Sequence, residues 1–286
     1  MKIYDRATGT YAEETEYQQS LLRFLYQTLP GRILLKLAVS PAFSRWRARY
    51  QHSPRSRKDI KPFAEQYGVT ISDEDLSAFE SFHDFFTRKR TCATSAAATD
   101  LIAVADGRLS AFPVSDQLVL HVKHSRYTLR ELVGADVPLS PFSEGTCLVF
   151  RLAVQDYHRY VFPDSGVVTA SGTIQGELHT VRPISERYRV YARNHRVWTM
   201  MNTDHFGPLL QIEVGAMLVG RIRNHPVQRF SRLDEKGWFE FGGSTILLLL
   251  PKSVRIDEDI LSQSRLGCET KVAIGEKVGT INREEE

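Results

Sequence analysis

The chain predicts an α+β protein: a helical N-terminal segment followed by a mostly antiparallel β domain of packed sheets. Three observations carry this. Up to about residue 90 apolar residues recur at helical spacing, and from Leu101 onward short apolar runs alternate with glycines, the texture of strands and turns. Between them Thr91 to Asp100 is small and polar and reads as a linker. With 286 residues, 42% of them hydrophobic, the chain can bury a substantial core, so one main domain (91–286) with an accessory segment (1–90) is expected.

The opening residues Met1 to Thr15 are polar and acidic, without the basic start and apolar run of a signal peptide. Leu21, Leu22, Leu25 and Leu29 then fall on one helical face, opposite Gln19, Ser20, Arg23 and Gln27. Pro30-Gly31 is expected to break that helix, and Ile33, Leu34, Leu35, Leu37 and Val39 start a second apolar stripe between Arg32 and Lys36. Phe43, Trp46 and Tyr50 interleave with arginines. Apolar faces edged by arginine and aromatics suit a helical hairpin in a membrane interface; they suit equally an arm packed on the domain or on another subunit. Leu21 to Val39 is interrupted by Arg23, Gln27, Pro30, Arg32 and Lys36, so no transmembrane helix is expected. A third helix is predicted after Ser72 as N-cap, with Asp75 three residues on and Leu76, Phe79, Phe82 and Phe86 at helical spacing.

In the β region, Leu118–Val122, Cys147–Val154, Val167–Ile174, Arg187–Met200, Leu209–Ile222 and Trp238–Leu250 read as strands, punctuated by Gly107, Gly145, Gly166, Gly172, Gly207 and Gly220. Short strands with frequent turns predict antiparallel sheets packed on each other.

The net charge of +3 is unevenly placed: Arg45, Arg47, Arg49, Arg55, Arg57, Lys58 and Lys61 crowd one stretch, while Glu284, Glu285 and Glu286 end the chain. A basic stretch is either a solvated face or the footprint of an anionic partner, lipid head groups or nucleic acid. No aromatic-basic RNA signature and no DNA-reading helix accompanies it, so nucleic acid is not expected. Cys92, Cys147 and Cys268 are an odd number, widely spaced; neither a disulfide framework nor a metal site is expected, and a reducing compartment fits best.

Three stretches carry residues suited to chemistry. Ala105-Asp106-Gly107 follows an apolar run, as a common turn would. Asp156-Tyr157-His158-Arg159-Tyr160 gathers four polar or titratable groups near a strand end, where each needs solvent or a partner. Gly242-Gly243-Ser244-Thr245 runs into Ile246-Leu247-Leu248-Leu249-Leu250, setting a bare peptide bond beside a hydroxyl. Such glycines ordinarily make a turn or bulge; the sharper reading is that Ser244 attacks the Gly243 carbonyl. A serine hydroxyl needs a base for that, and an Asp, a His and a Ser form a relay in which the acid orients the imidazole. Ser244 is not in a Gly-x-Ser-x-Gly elbow, which disfavours an ordinary α/β-hydrolase.

Together these stretches resemble the phosphatidylserine decarboxylase proenzyme family. The resemblance rests on Phe85-Phe86-Thr87-Arg88, Ala105-Asp106-Gly107, Asp156-Tyr157-His158-Arg159, Phe206-Gly207, Val214 to Gly220 and Gly242 to Thr245, and covers roughly Phe82 to Gly279. It implies self-cleavage between Gly243 and Ser244 into a β chain 1–243 and an α chain 244–286, with Asp106, His158 and Ser244 serving the cut. Ser244 would become a covalent pyruvoyl group, the cofactor for converting phosphatidylserine to phosphatidylethanolamine and CO2. His158, a side chain that titrates near neutral pH, is the expected acid in that reaction. Many members carry a second histidine three residues after the first. Here Val161 stands there, and His179 is the expected substitute by its position soon afterwards; a hydrogen-bonded histidine without a catalytic role is the other reading. Gly242 replaces a leucine common in the family. A peripheral enzyme on the cytoplasmic face of a membrane, working as a homodimer, is expected. A soluble pyruvoyl decarboxylase of a free amino acid and a non-catalytic lipid-binding homologue are the alternatives.

Overall fold

The computed structural model describes residues 2–13, 19–122, 125–134, 137–181, 183–217, 221–242 and 244–281. Among these, ten strands form one sheet in the spatial order Arg229–Phe230, Gly166–Ile174, Arg196–Thr203, Gly207–Val214, Ser244–Leu250, Thr146–Leu152, Gly107–Pro113, Glu269–Val272, Lys2–Asp5 and Thr10–Glu13. Every pairing in it is antiparallel except Lys2–Asp5 on Glu269–Val272.

The apolar run after Ser244 is continuous because both faces of its strand are covered. Ile246, Leu248 and Leu250 enter one core layer with Leu148, Phe150 and Leu152, while Leu247 and Leu249 enter the other with Cys147, Val149 and Ile212. The first layer is roofed by two three-stranded sheets, Ile222–Asn224/Glu235–Phe239/Arg159–Val161 and Val254–Ile256/Lys277–Ile281/Asp100–Ile102, and by the helix Glu258–Arg265. The hairpin Val119–Val122/Ser125–Thr128 and the short helices Leu129–Val133 and Val190–Arg193 cover the second.

The N-terminal arm holds the helices Gln19–Gln27, Leu29–Ala38 and Pro41–Gln51. The break falls at Thr28, one residue pair earlier than Pro30-Gly31. Thr28 caps the second helix by accepting from the Gly31 N–H at 3.1 Å, and Pro30 sits in its first turn, where a missing N–H costs nothing. Gly31 is needed there, since a Cβ would lie 1.9 Å from the Phe24 carbonyl oxygen. Leu25, Tyr26, Leu35 and Val39 are buried against the β domain, but Leu21, Phe24, Leu29, Ile33, Leu34, Leu37 and Trp46 are exposed. Leu21 and Leu29 thus leave the face they were expected to share with Leu25. No helix among the described residues is long and apolar enough to cross a membrane.

Four further expectations are corrected. The first residues are not helical: Lys2–Asp5 and Thr10–Glu13 form a hairpin at the sheet edge, with Ile3 as its buried anchor. The third helix is two, Asp73–Ala78 and Phe82–Phe86, because Ser81 caps a new start by accepting from the Asp84 N–H. Only Arg196 onward of Arg187–Met200 is strand; a 3-10 turn at Pro183–Tyr188 and a helix at Val190–Arg193 precede it. Trp238–Leu250 breaks around Gly242, whose φ of +132° is a conformation that side-chain-bearing residues rarely adopt. The segment 91–100 is pinned, with the Arg232 guanidinium on the carbonyls of Ala96, Ala97 and Asp100.

Candidate active site

Ser244 opens the central strand opposite Leu152, and His158 immediately precedes the strand Arg159–Val161 in the roof above it. Both are fully buried, and the Ser244 Oγ lies 3.4 Å from His158 Nδ1. The other ring nitrogen, Nε2, lies 2.9 Å from the Ala153 carbonyl oxygen. A carbonyl only accepts, so Nε2 carries the proton, and in the neutral ring Nδ1 offers its lone pair to the serine hydroxyl. The ring is neutral: burial pushes its pKa down to about 3, against the help of the Ala153 carbonyl and with Arg88 and Arg108 adding to the fall. This corrects the expectation of a group titrating near neutral pH.

Phe86 stacks on the imidazole at 4.4 Å, and Phe82 and Phe86 meet the Phe241 ring at 5.2 and 5.0 Å. The helix Phe82–Phe86 thereby walls the pair off from water. Gly243, the other half of the scissile bond, lies outside the described residues, as do Leu218, Val219 and Gly220 of the glycine-rich stretch.

Among the described residues no carboxylate bonds the imidazole directly. Asp106 Oδ1 accepts instead from Arg90 Nη2 at 2.5 Å and from the Ile274 N–H at 2.8 Å. The acid that stands behind His158 is Asp156. Its Oδ2 accepts the Ala153 N–H at 2.7 Å and an Arg108 N–H, and so fixes the peptide turn whose carbonyl orients the ring. Burial raises the Asp156 pKa against the opposing Arg108 charge, and the nearby Asp106 charge adds to the rise. The sequence held Asp156 in the run Asp156-Tyr157-His158 but offered no sign of this indirect hold; an acid two residues before a histidine at a strand end was the available signal.

His179 is placed in the seam with the N-terminal arm. Its Nε2–H donates to Glu177 at 2.9 Å, the Tyr26 hydroxyl donates to Nδ1 at 3.2 Å, and the ring stacks on Tyr188 at 4.5 Å. The Tyr26 hydroxyl also accepts the Thr180 N–H at 3.0 Å. Both ring nitrogens are therefore engaged between the arm and the β domain, and neither is on Ser244 or His158. Val161 also faces away from the pair: Tyr160 and Phe162 enter the first core layer, so alternation turns Val161 to the side of Arg159. A histidine at that position would not meet Ser244.

A further buried network was not foreseen. Glu213 lies across from Ile246, two residues from Ser244, and binds Lys236 at 2.8 Å, Gln211 at 2.9 Å and Asn224 at 3.0 Å. Its polarity is hidden within apolar strands, where periodicity alone does not distinguish a paired acid from a surface one.

Comparison with known proteins identifies the family. Residues 80–280 match the model of the family described as phosphatidylserine decarboxylase. A Clostridium acetobutylicum protein named phosphatidylserine decarboxylase proenzyme 2 is 43% identical over 286 residues, covering 98% of each chain. Proteins named phosphatidylserine decarboxylase proenzyme from Desulfitobacterium hafniense strain Y51 and Clostridium perfringens strain SM101 are 39% and 37% identical, each covering 98% or more of both chains.

Proposed function

The chain belongs to the phosphatidylserine decarboxylase family, and we propose that the buried His158–Ser244 pair makes its own cofactor by cutting the chain before Ser244. The protein is a self-processing, pyruvoyl-dependent carboxy-lyase that converts phosphatidylserine to phosphatidylethanolamine and CO2. The observation that carries the role of the pair is the Ser244 hydroxyl 3.4 Å from the unprotonated nitrogen of a neutral, buried imidazole. Within the family we read this chain as a variant with Tyr157-His158-Arg159-Tyr160 and no second histidine.

In the cut, Nδ1 of His158 takes the hydroxyl proton as Oγ bonds the Gly243 carbonyl carbon. The Gly243–Ser244 C–N bond then breaks, the proton passes to the departing nitrogen, and an ester joins Gly243 to Oγ. Loss of the Ser244 α-proton expels the Gly243 carboxylate. Water then replaces the nitrogen, which leaves as ammonia, and the ketone of a pyruvoyl group remains at the head of 244–286. Asp156 contributes by fixing the Ala153 peptide, and Asp106 by holding Arg90 and the Ile274 peptide.

The site suits such a group: position 244 is buried beside His158, on which Phe86 stacks, and a methyl in place of the hydroxymethyl with a ketone oxygen in place of the amine nitrogen needs no new volume. When present, the group supplies an electron-withdrawing carbonyl as the substrate carboxylate leaves. His158 is the neutral base beside it. It takes the proton that the incoming ammonium must lose and returns it to carbon after CO2 departs. The aromatic wall excludes water from that exchange. His179 joins the arm to the domain and serves the reaction only by positioning.

The apolar residues exposed on the arm, among them Leu29, Ile33, Leu37 and Trp46, support docking of residues 1–90 on a membrane as a peripheral protein of its cytoplasmic face. A homodimer is part of this reading. The test is CO2 release from phosphatidylserine vesicles compared with free L-serine, with and without residues 19–51. Release from vesicles alone, lost with the arm, is expected. Equal turnover of free serine would overturn the lipid reading in favour of a soluble decarboxylase.

A further inference from the structure

Arg88 sits two residues beyond Phe86, the ring that stacks on His158. Its Nη1 donates to the Phe85 carbonyl at 3.0 Å and its guanidinium lies over the Phe85 ring at 4.7 Å. Among the described residues that carbonyl is its one hydrogen-bond partner, and no carboxylate meets it. The neighbouring arginines are all committed: Arg90 to Asp106, Arg108 to Asp156, and Arg159 to Glu235 and the Thr87 carbonyl. A guanidinium carries five N–H donors in a planar fork, so most of the recognition capacity of Arg88 is unspent. Burial, with Arg90 nearby, pulls its pKa down against the Asp106 charge, as expected for a half-buried cation that no carboxylate hydrogen-bonds among the described residues. Its charge reaches the reacting pair, since it stands first among the side-chain charges that lower the His158 pKa after burial itself.

We propose that Arg88 is the specificity residue that holds the phosphodiester of the substrate head group beside the Ser244 position. The inference rests on the phosphatidylserine reading above and adds which anion is gripped. The phosphodiester keeps its charge throughout the reaction, so a cation can bind it without resisting catalysis. The substrate carboxylate must shed its charge as CO2; a cation fixed on it would stabilise the ground state and slow the step. Resting over Phe85, the guanidinium is already oriented, and a bidentate grip on two phosphate oxygens matches its fork.

The test is calorimetric binding of glycerophosphoethanolamine, which has the phosphodiester but no carboxylate to lose, to the processed protein and to its Arg88→Gln and Arg88→Lys variants. Complete cleavage and an unchanged melting temperature serve as the fold control. The expected result is a dissociation constant raised about tenfold or more in Arg88→Gln and less in Arg88→Lys, with the weaker binding of ethanolamine the same in all three. Equal affinity for glycerophosphoethanolamine in wild type and Arg88→Gln would overturn the proposal, as would a loss confined to L-serine, which would put Arg88 on the carboxylate. Wild-type CO2 release from phosphatidylserine is measured separately, so failure of the family reaction is told apart from failure of this assignment.

Discussion

Lowering the pH from 7.5 to 5.0 should destabilise the fold through the His158 ring. Unfolded, the imidazole takes a proton near its ordinary value of 6.5; folded, it refuses one until about 3. The folded pKa of this base is depressed, so the unfolded chain binds the extra proton throughout that window. The contribution is whole above 6.5 and is lost as pH falls toward 3. At pH 5.0 the deficit is roughly 1.5 units at 1.36 kcal/mol each, about 2 kcal/mol. The assay is urea denaturation of the uncleaved Ser244→Ala chain and of Ser244→Ala/His158→Gln at both pH values. Glutamine keeps a donor for the Ala153 carbonyl but does not titrate. His83, His179 and His195 are also pushed down, chiefly by burial, but they are common to both chains and cancel. The first chain should lose about 2 kcal/mol more than the second. Equal losses within about 0.5 kcal/mol would mean that the imidazole is not held neutral in the fold, and the base assignment would fall.

Three other outcomes are expected. Asp156→Asn should slow self-cleavage by on the order of tenfold or more, and by more than Asp106→Asn, because only Asp156 bonds the Ala153 peptide that orients the imidazole; band intensities over time after cell-free synthesis read both rates. Tyr26→Phe strands the Thr180 N–H and His179 Nδ1 at the arm's seam and should cost about 1–3 kcal/mol in urea denaturation, with cleavage intact; an unchanged midpoint would refute the seam. Val161→His should destabilise the chain without speeding cleavage or decarboxylation, since position 161 faces away from Ser244; a gain in either rate would show that the second histidine is missed.

The division into helical arm and β domain was legible because periodicity reports burial on one face, and both textures are long. It failed where one residue anchors an element, as Ile3 does for the first hairpin, and where a cap divides a continuous pattern, as Ser81 does between Leu76 and Phe86. The run Ile246–Leu250 was legible as a buried strand, but not that its faces serve two separate core layers. His158 and Ser244 were legible as a pair through resemblance; 86 positions separate them, and no local pattern predicts their approach. His179 was chosen for closeness along the chain, which says little about closeness in space once the intervening strand Gly166–Ile174 has crossed the sheet. The depression of the His158 pKa was hidden for the same reason: it comes from burial under Phe86, a residue 72 positions away.

The most direct measurement is the intact mass of the purified protein under denaturing conditions, beside the Ser244→Ala variant. Cleavage before Ser244 predicts two polypeptides, 1–243 and 244–286, the shorter without a free N-terminal amine, while Ser244→Ala stays a single chain close to 32.6 kDa. A wild-type protein that persists as one chain of 32.6 kDa, or a Ser244→Ala variant that is still cut, would contradict the account.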